Sequence, residues 1–510
     1  PWATPPPLQQ PVPPAAPTWQ QPPAAPAPAP RPAVPRAPVL NPFLGVPIGD
    51  YVRDGAALVC LFAVLGKPWD IDGDGTDHWW VILSALVAIC SLAVPYVAAS
   101  RALPALGRDQ SQLLKFALTA PLLISVLAAV VNELVHATDY FEGGLGAGVA
   151  LATAGALFAV QPRAADEDLA HRDDRRWWAA PTSPAVVAVA LSIATFAAFV
   201  LRDLTGDTLL FDEPVAFMSL VVSPLLTLVV VYGGALLGLL ARQFQGVLVF
   251  AVVTLTAAGV ALLTGDDPTS LFRAYLSLRE VGPVEHWDSI IGGVFLLSGA
   301  GALAVSRPAL RTASAGVNSV HAFLLTARLA LGLVGIGGFL VPISYVLGLV
   351  AADIYPAAVI VAVVLWVALA VLALVAVSLL SGATLNRLAV VVLAAAIPVI
   401  GIVLVAVVRS SDGFARVAGT LSLDTVATVL LFTLPLLAVG ALTAPAAVRR
   451  TYGPLLPERA PVQPAQQWPA QQWPAQEWSA QQPGQQWVAQ PPTQPPTQPP
   501  GPPTAPPSGE

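Results

Sequence analysis

The strongest constraint on the fold is a run of 25 residues without a charged side chain, from Pro356 to Leu380. A helix of this length exceeds the roughly 20 apolar residues needed to cross the hydrocarbon core of a bilayer. Across the chain of 510 residues, 55% are hydrophobic and only 11% are charged, whereas ordinary soluble domains carry about 25% charged residues. The sequence therefore predicts a membrane protein built from helices that span the bilayer.

Further apolar runs alternate with short polar loops, and together they predict twelve transmembrane spans in an all-α bundle. The predicted spans are residues 51–66, 79–99, 113–135, 143–161, 184–201, 215–241, 246–264, 290–306, 323–351, 356–380, 388–408 and 425–448. Arg53 and Asp54 lie in the opening turn of the first span, where we expect both side chains to reach the headgroup layer.

The basic residues predict the orientation of the bundle. The loops on one side hold twelve of them and the loops on the other side hold six. Because Lys and Arg are retained on the cytoplasmic side of a membrane, the first set of loops is predicted to face the cytoplasm. An even number of spans then places both termini in the cytoplasm.

Four short segments indicate that the chain is internally duplicated. Asp-His-Trp at residues 77–79 has a near copy, Glu-His-Trp, at 285–287, which is 208 positions later. Phe-x-Leu-Thr-Ala-x-Leu at 116–122 returns at 323–329, and two further matches fall 206 and 211 positions apart in the same order. We therefore predict two six-helix halves with the same orientation, related by an axis along the membrane normal.

Both ends of the chain differ from the membrane region in composition. The first 40 residues are mainly Pro, Ala and Gln, and the C-terminal end holds three near copies of Gln-Gln-Trp-Pro-Ala between residues 466 and 480. We predict disordered tails, because such segments bury too little apolar surface to fold. The alternative for the second tail is that its Trp and Pro residues bind a protein partner. The predicted organisation is an N-terminal tail at 1–40, two membrane halves at 41–241 and 242–450, and a C-terminal tail at 451–510.

The first outer loop carries four carboxylates, at Asp70, Asp72, Asp74 and Asp77, with glycines between them. This pattern suits a Ca²⁺ loop, but the glutamate that would close such a loop is replaced by Val81. The alternative interpretation is a turn in which Asp77 caps the second span.

His78 and His286 hold equivalent places in the two copies, and a tryptophan follows each of them. Two histidines near a two-fold axis could bind a metal or titrate near neutral pH. The alternative is that each pair anchors its helix in the aromatic belt at the membrane surface.

The remaining polar residues indicate no enzyme chemistry. The sequence has no phosphate-binding loop, no His-Glu-x-x-His motif and no nucleophile elbow. We therefore predict no catalytic residues and no cofactor, and we expect the lipid bilayer and proteins as partners, not nucleic acid. Cys60 and Cys90 lie in apolar runs, where we expect small buried side chains instead of a disulfide framework.

Asn-Pro-Phe at 41–43 and Pro-Trp-Asp at 68–70, with Pro/Gln-rich tails and an Ala/Val/Leu-rich membrane region, resemble an uncharacterised family of multi-pass membrane proteins of high-GC actinobacteria. The resemblance covers about residues 41–450. It implies a location in the plasma membrane and no assigned activity.

Two functions are compatible with this organisation. The first is a non-enzymatic membrane scaffold whose cytosolic tails recruit protein partners. The alternative is a secondary transporter with a pathway between the halves. Six plus six spans are similar to the major facilitator transporters, but the connection between the halves, residues 242–245, is shorter than the linker of that family, and the loop after the second span lacks a Gly-x-x-x-Asp-Arg signature. Dry apolar packing between the halves would favour the scaffold.

Overall fold

The computed structural model describes the following ranges, together with a few isolated positions: residues 46–69, 75–100, 108–135, 145–164, 179–190, 229–263, 294–352, 355–381, 386–409 and 425–453. All of them belong to one compact unit that ends at Leu455. The predicted N-terminal tail and residues 456–510 lie outside the described residues.

The described residues are helical, with no β-strand in these ranges. In the first predicted half the helices are α1 (Ile48–Ala63), α2 (Trp79–Ser91), α3 (Val94–Ser100), α4 (Arg108–Val135), α5 (Ala147–Val160), α6 (Ala179–Ala190) and α7 (Gly234–Leu240). In the second they are α8 (Phe244–Leu263), α9 (Val294–Ala304), α10 (Arg307–Ser314), α11 (Ser319–Ala352), α12 (Ala357–Ser381), α13 (Arg387–Arg409), α14 (Thr425–Thr428), α15 (Leu434–Thr443) and α16 (Ala446–Tyr452). Two π-helical turns, Val229–Gly233 and Val429–Thr433, lead directly into α7 and α15.

Six helical stretches are long and apolar enough to cross a membrane: Trp79–Ser100, Asp109–Asn132, Ser319–Val350, Ala357–Ser381, Arg387–Val408 and Val426–Thr443. They confirm six of the predicted spans as membrane-length helices. The other six predicted spans coincide, where they are described, with shorter helices such as α1, which has 16 residues, and α5, which has 14. The chain is therefore embedded in a membrane, and the total of twelve spans stays a prediction.

The outer surface of the bundle carries large apolar side chains. Leu127, Val364 and Val399 are each more than 60% exposed on membrane-length helices. Exposed apolar surface on this scale is unfavourable in water but matches the acyl chains of a bilayer. Cys90 also lies on this surface, so the expectation that both cysteines are buried holds only for Cys60.

Short helices form the interior. Thirteen of the fourteen residues of α5 are buried, and α5 packs against α1, α4, α8 and α9. Gly299 in α9 lets the two helices approach closely, because a Cβ atom there would lie 2.7 Å from Leu157 and 2.8 Å from Thr153. Small residues at a helix contact allow this kind of backbone approach in membrane proteins.

The connection between α7 and α8 is a tight turn that joins the two predicted halves. Arg242 has a φ of 57°, and the N–H groups of Arg242 and Gln243 donate to the carbonyls of Leu239 (3.0 Å) and Gly238 (3.4 Å). This is the hydrogen-bond pattern of a Schellman cap, which ends α7 and reverses the chain. The turn lays the backbone of Gly238 directly against that of Gly246 in α8.

Candidate functional site: a buried ionic cluster

Two of the six predicted metal-binding residues are described. Asp77 is exposed in the turn before α2, and His78 occupies the N-cap position of that helix. The other four lie outside the described residues, namely Asp70, Asp72, Asp74 and His286. The Ca²⁺ loop and the histidine pair therefore stay predictions. Within the described ranges, no group of three or more His, Cys, Asp or Glu side chains is placed to hold a metal ion.

His78 belongs to an aromatic group at the start of α2. Its ring centroid is 4.7 Å from that of Trp80, which in turn meets Trp79 edge to face at 6.1 Å. Both tryptophans are exposed, as expected for an aromatic belt at headgroup depth. The N-cap position that we expected for Asp77 belongs to His78, whose side chain makes no capping hydrogen bond.

The start of the first predicted outer loop is fixed on the N-terminus of α5. The amide of Gly146 donates to the carbonyl of Trp69 at 2.9 Å, and that of Gly148 donates to the carbonyl of Pro68 at 2.8 Å. These amides are among the N–H groups that a helix N-terminus leaves without intrahelical partners. A Cβ atom at Gly146 would lie 2.0 Å from the Pro68 carbonyl oxygen, so the contact requires glycine.

At the other end of α5 lies a group of charged side chains that we call the ionic cluster, consisting of Asp50, Arg53, Asp54, Arg163 and Arg307. The first three are spaced i, i+3 and i+4 along α1, so they share one face of that helix. Arg163 follows the C-terminus of α5, and Arg307 is the first residue of α10. The cluster thus gathers residues from three separate parts of the chain.

Asp50 is completely buried, and it holds one side of the ionic cluster together. Its Oδ1 atom accepts a hydrogen bond from Nη1 of Arg53 at 2.9 Å. Its Oδ2 atom accepts one from the amide of Ala164 at 2.8 Å and lies 3.6 Å from Nη1 of Arg307. A buried carboxylate requires compensation of this kind, because desolvation of an unpaired charge is costly.

Asp54 and Arg163 form the other side of the cluster. Nε and Nη2 of Arg163 donate to Oδ1 of Asp54 at 2.8 and 2.5 Å, and the Tyr96 hydroxyl donates to Oδ2. Arg163 also donates to the carbonyls of Phe158 (3.0 Å) and Gln161 (3.1 Å). These carbonyls lie at the C-terminal end of α5, where a helix lacks internal donors and favours a cation.

The same region connects the two predicted halves. Nε and Nη2 of Arg53 donate to the carbonyl of Val305 at 3.0 and 2.9 Å. Gln161 donates from Nε2 to the carbonyl of Ala302 at 2.8 Å. Both acceptors lie at the C-terminus of α9. Polar contacts therefore hold α1, α5 and α9 together at one end of the bundle.

The five residues of the ionic cluster comprise three arginines and two aspartates. Lys115 is buried beside the cluster, and its Nζ atom donates at 2.5 Å to the Gln161 carbonyl, which also accepts a hydrogen bond from Arg163. Among the described residues, the buried polar atoms without a hydrogen-bond partner include Ser306 Oγ, next to Arg307 in the chain, and Gln161 Oε1. Buried polar atoms of this kind can hold a water molecule. Among the residues that the structure describes here, no nucleophile is paired with a general base.

Sequence reasoning missed the ionic cluster. The expectation that Arg53 and Asp54 reach the headgroups is wrong, because both side chains turn inward to partners that are 252 and 109 positions away. The available signal was the spacing of Asp50, Arg53 and Asp54, which places three charges on one face of a helix. Charged side chains are unfavourable in lipid, so such a face is expected to turn toward the interior of the protein. Arg163 gave no such signal, because it precedes a loop rich in both charges.

The helices expose apolar side chains on the outer surface and bury ion pairs in the interior. This combination is that of a helical membrane protein. The chain belongs to the family described as a domain of unknown function (DUF7937), whose model matches residues 50–451. The match begins at Asp50 of the ionic cluster and ends within α16. No curated protein and no solved structure matches the chain.

Proposed function

We propose that the protein is a non-enzymatic scaffold of the plasma membrane, with its two tails in the cytoplasm, where they recruit protein partners. The observation that carries the proposal is the packing between α5 and α9, which belong to different predicted halves. Ser298 of α9 is fully buried and donates to the carbonyl of Ala150 at 3.0 Å. A contact of this kind leaves no room for a solute between the two helices.

The remaining contacts of α9 support a fixed assembly. A Cβ atom at Gly301 would lie 2.1 Å from Oγ1 of Thr254 in α8, so α9 is tightly packed on this side as well. Ala300, Ala302 and Ala304 are all buried. Closely packed interiors resist gradual deformation, which is the property that a scaffold requires.

Contacts between helix ends support the twelve-span topology with both termini on one side. The contact between Trp69 and Gly146 joins two segment ends that are separated by two predicted crossings. Four predicted crossings separate Gln161 from Ala302, which are also in contact. Because an even number of crossings returns a chain to the same face, both contacts agree with the predicted order of spans.

Two threonines support the proposed duplication. Thr119 in α4 and Thr326 in α11 hold equivalent positions in the repeated segment. Both are completely buried, and each donates to the carbonyl four residues earlier at 2.9 Å. Duplicated helices that pack in equivalent places would share this environment.

The composition supports an actinobacterial source. The chain contains 22 arginines but only two lysines, Lys67 and Lys115. Arginine is encoded mainly by GC-rich codons and lysine by AT-rich codons, so a high-GC genome would produce this imbalance.

The recruiting role of the C-terminal tail is tested by affinity purification from membranes. We expect the full-length chain to retain partner proteins that a chain ending at Arg450 loses. Replacing the three repeat tryptophans, Trp468, Trp473 and Trp478, with alanine should cause the same loss, because these side chains provide the apolar contacts of the repeats. The matched control replaces Gln466, Gln471 and Gln476 with alanine. Equal retention by all variants would contradict the proposal.

A secondary transporter is the second candidate, and the ionic cluster is the observation that favours it. The cluster lies at one end of the bundle and joins α1 to the end of α9 across the two predicted halves. A transporter caught in one state of alternating access would close one face by contacts between its halves. In that case the cluster is a gate whose ion pairs separate during transport.

Labelling of Ser298→Cys in a background without Cys60 and Cys90 separates the two candidates. For the scaffold, we expect no reaction with a membrane-impermeant maleimide in intact cells or in inverted vesicles, because position 298 stays buried. Ser314→Cys is the matched control, since this residue is exposed at the end of α10 and should react from one face only. Reaction of Ser298→Cys from either face would reject the scaffold and favour the transporter.

A further inference from the structure

We propose that a groove along α11 binds an anionic phospholipid, with the phosphate at Arg328 and one acyl chain along the helix. The groove has a volume of about 380 Å³ and is formed by α11, α12 and the connection between α7 and α8. Its lining contains one cation, two amides and an apolar floor, and no acidic residue.

The apolar floor follows one face of α11. Leu325, Leu329, Gly332, Leu333 and Ile336 stand at positions i, i+4, i+7, i+8 and i+11, which share one face of a helix, and Val377 of α12 also lines the groove. Ile336 lies eight residues after Arg328, where the phosphate is placed, which corresponds to about 12 Å along the helix axis. This is somewhat shorter than half of the roughly 30 Å hydrocarbon core, so most of one acyl chain of one leaflet can lie along the groove.

The polar end of the groove suits a phosphate. Arg328 is exposed, and a guanidinium group can bind phosphate oxygens through two parallel hydrogen bonds. Gln245 donates from Nε2 to Oε1 of Gln243 at 2.7 Å, which orients the Gln243 amide and leaves its NH₂ group as a further donor. Arg242, next to Gln243 in the chain, is also exposed and adds a second positive charge to this surface.

The position of Arg328 along α11 agrees with the depth of the headgroup layer. The apolar stretch Ser319–Val350 has 32 residues, or about 48 Å of helix, so it extends beyond the hydrocarbon core. Arg328 lies in the third turn of α11, from where its long side chain can reach the polar layer while its stem stays among the leucines. A basic site between membrane helices at this depth is typical of anionic lipid recognition.

The test is native mass spectrometry of the full-length chain in detergent with equal amounts of phosphatidylglycerol and phosphatidylcholine. We expect the unmodified protein to retain phosphatidylglycerol preferentially. Arg328→Gln should lower that preference about fivefold, since one basic residue near a lipid phosphate contributes about that factor. Arg450→Gln, which removes an exposed arginine from α16, is the matched control and should retain the preference.

The acyl-chain part of the proposal is tested separately at Gly332. A Cβ atom at this position meets no neighbouring atom within 4 Å, so Gly332→Leu should fold and fill the groove. We expect it to reduce retention of both lipids, whereas Gly440→Leu, at a similarly open position, should not. Glycerol phosphate, which lacks acyl chains, should fail to displace the lipid. Equal effects of the Arg328 and Arg450 variants, displacement by glycerol phosphate, or unchanged lipid retention by Gly332→Leu would overturn the proposal.

Discussion

Replacing Asp54 with asparagine is expected to destabilise the protein by about 3 kcal/mol. The substitution preserves the shape of the side chain but removes the charge that compensates Arg163, whose side chain is only 3% exposed. Loss of one partner from a buried ion pair costs about 3 to 5 kcal/mol, and we expect the lower end because Asp54 itself is 15% exposed. Titration of the purified full-length chain with sodium dodecyl sulfate, followed by tryptophan fluorescence, measures the change.

Two further variants identify the ion pair as the cause. Asp54→Asn combined with Arg163→Gln should be less destabilising than the sum of the two single changes, because no uncompensated charge remains. Asp109→Asn is the control, since this carboxylate is exposed in the first turn of α4 and contributes only about 0.5 kcal/mol through the helix dipole. If Asp54→Asn has no larger effect than Asp109→Asn, the ionic cluster does not stabilise the fold.

Gly246→Ala is expected to cost a similar amount, about 3 kcal/mol, for a steric reason. The added Cβ atom would lie 2.2 Å from the carbonyl carbon and 2.3 Å from the Cα atom of Gly238. Both are backbone atoms in a helix that the tight turn at Arg242 holds in place, so neither can move without separating α7 from α8. Overpacking of a close contact costs about 1 to 3 kcal/mol, and a collision with backbone lies at the upper end. The same detergent titration provides the measurement.

Gly259→Ala provides a control in the same helix. A Cβ atom at this position has no neighbour within 4 Å, so the change should be neutral or stabilise the protein by up to about 1 kcal/mol through helix propensity. A destabilisation by Gly259→Ala equal to that of Gly246→Ala would show that glycine matters to α8 for a reason other than the contact with Gly238.

The membrane-length helices could be predicted from the sequence because uncharged runs have one physical explanation. Predicted span 356–380 corresponds to α12, Ala357–Ser381, and predicted span 79–99 corresponds to Trp79–Ser100. Lipid permits few alternatives, since every backbone polar group must be satisfied within the segment. For such elements, local composition decides the structure.

The partners of the charged face of α1 could not be predicted, because the ionic cluster depends on tertiary contacts. Arg163 lies between predicted spans 143–161 and 184–201, in a loop predicted to face the cytoplasm, and the rule that basic residues mark that side says nothing about whether a given arginine is paired. Its partner, Asp54, is 109 positions earlier and was assigned to the headgroup layer. Only the packing of α1 against α5 brings the two together, and no periodicity in either segment encodes that packing.

The hydrogen bonds between Arg53 and Val305 can form only late in the synthesis of the chain. The two residues are 252 positions apart, and a ribosome adds about 5 to 20 residues per second. Val305, whose carbonyl accepts these hydrogen bonds, is therefore synthesised roughly 13 to 50 s after Arg53. During that interval Arg53 has only partners synthesised earlier, such as Asp50, and its contacts are complete only after α9 has been made.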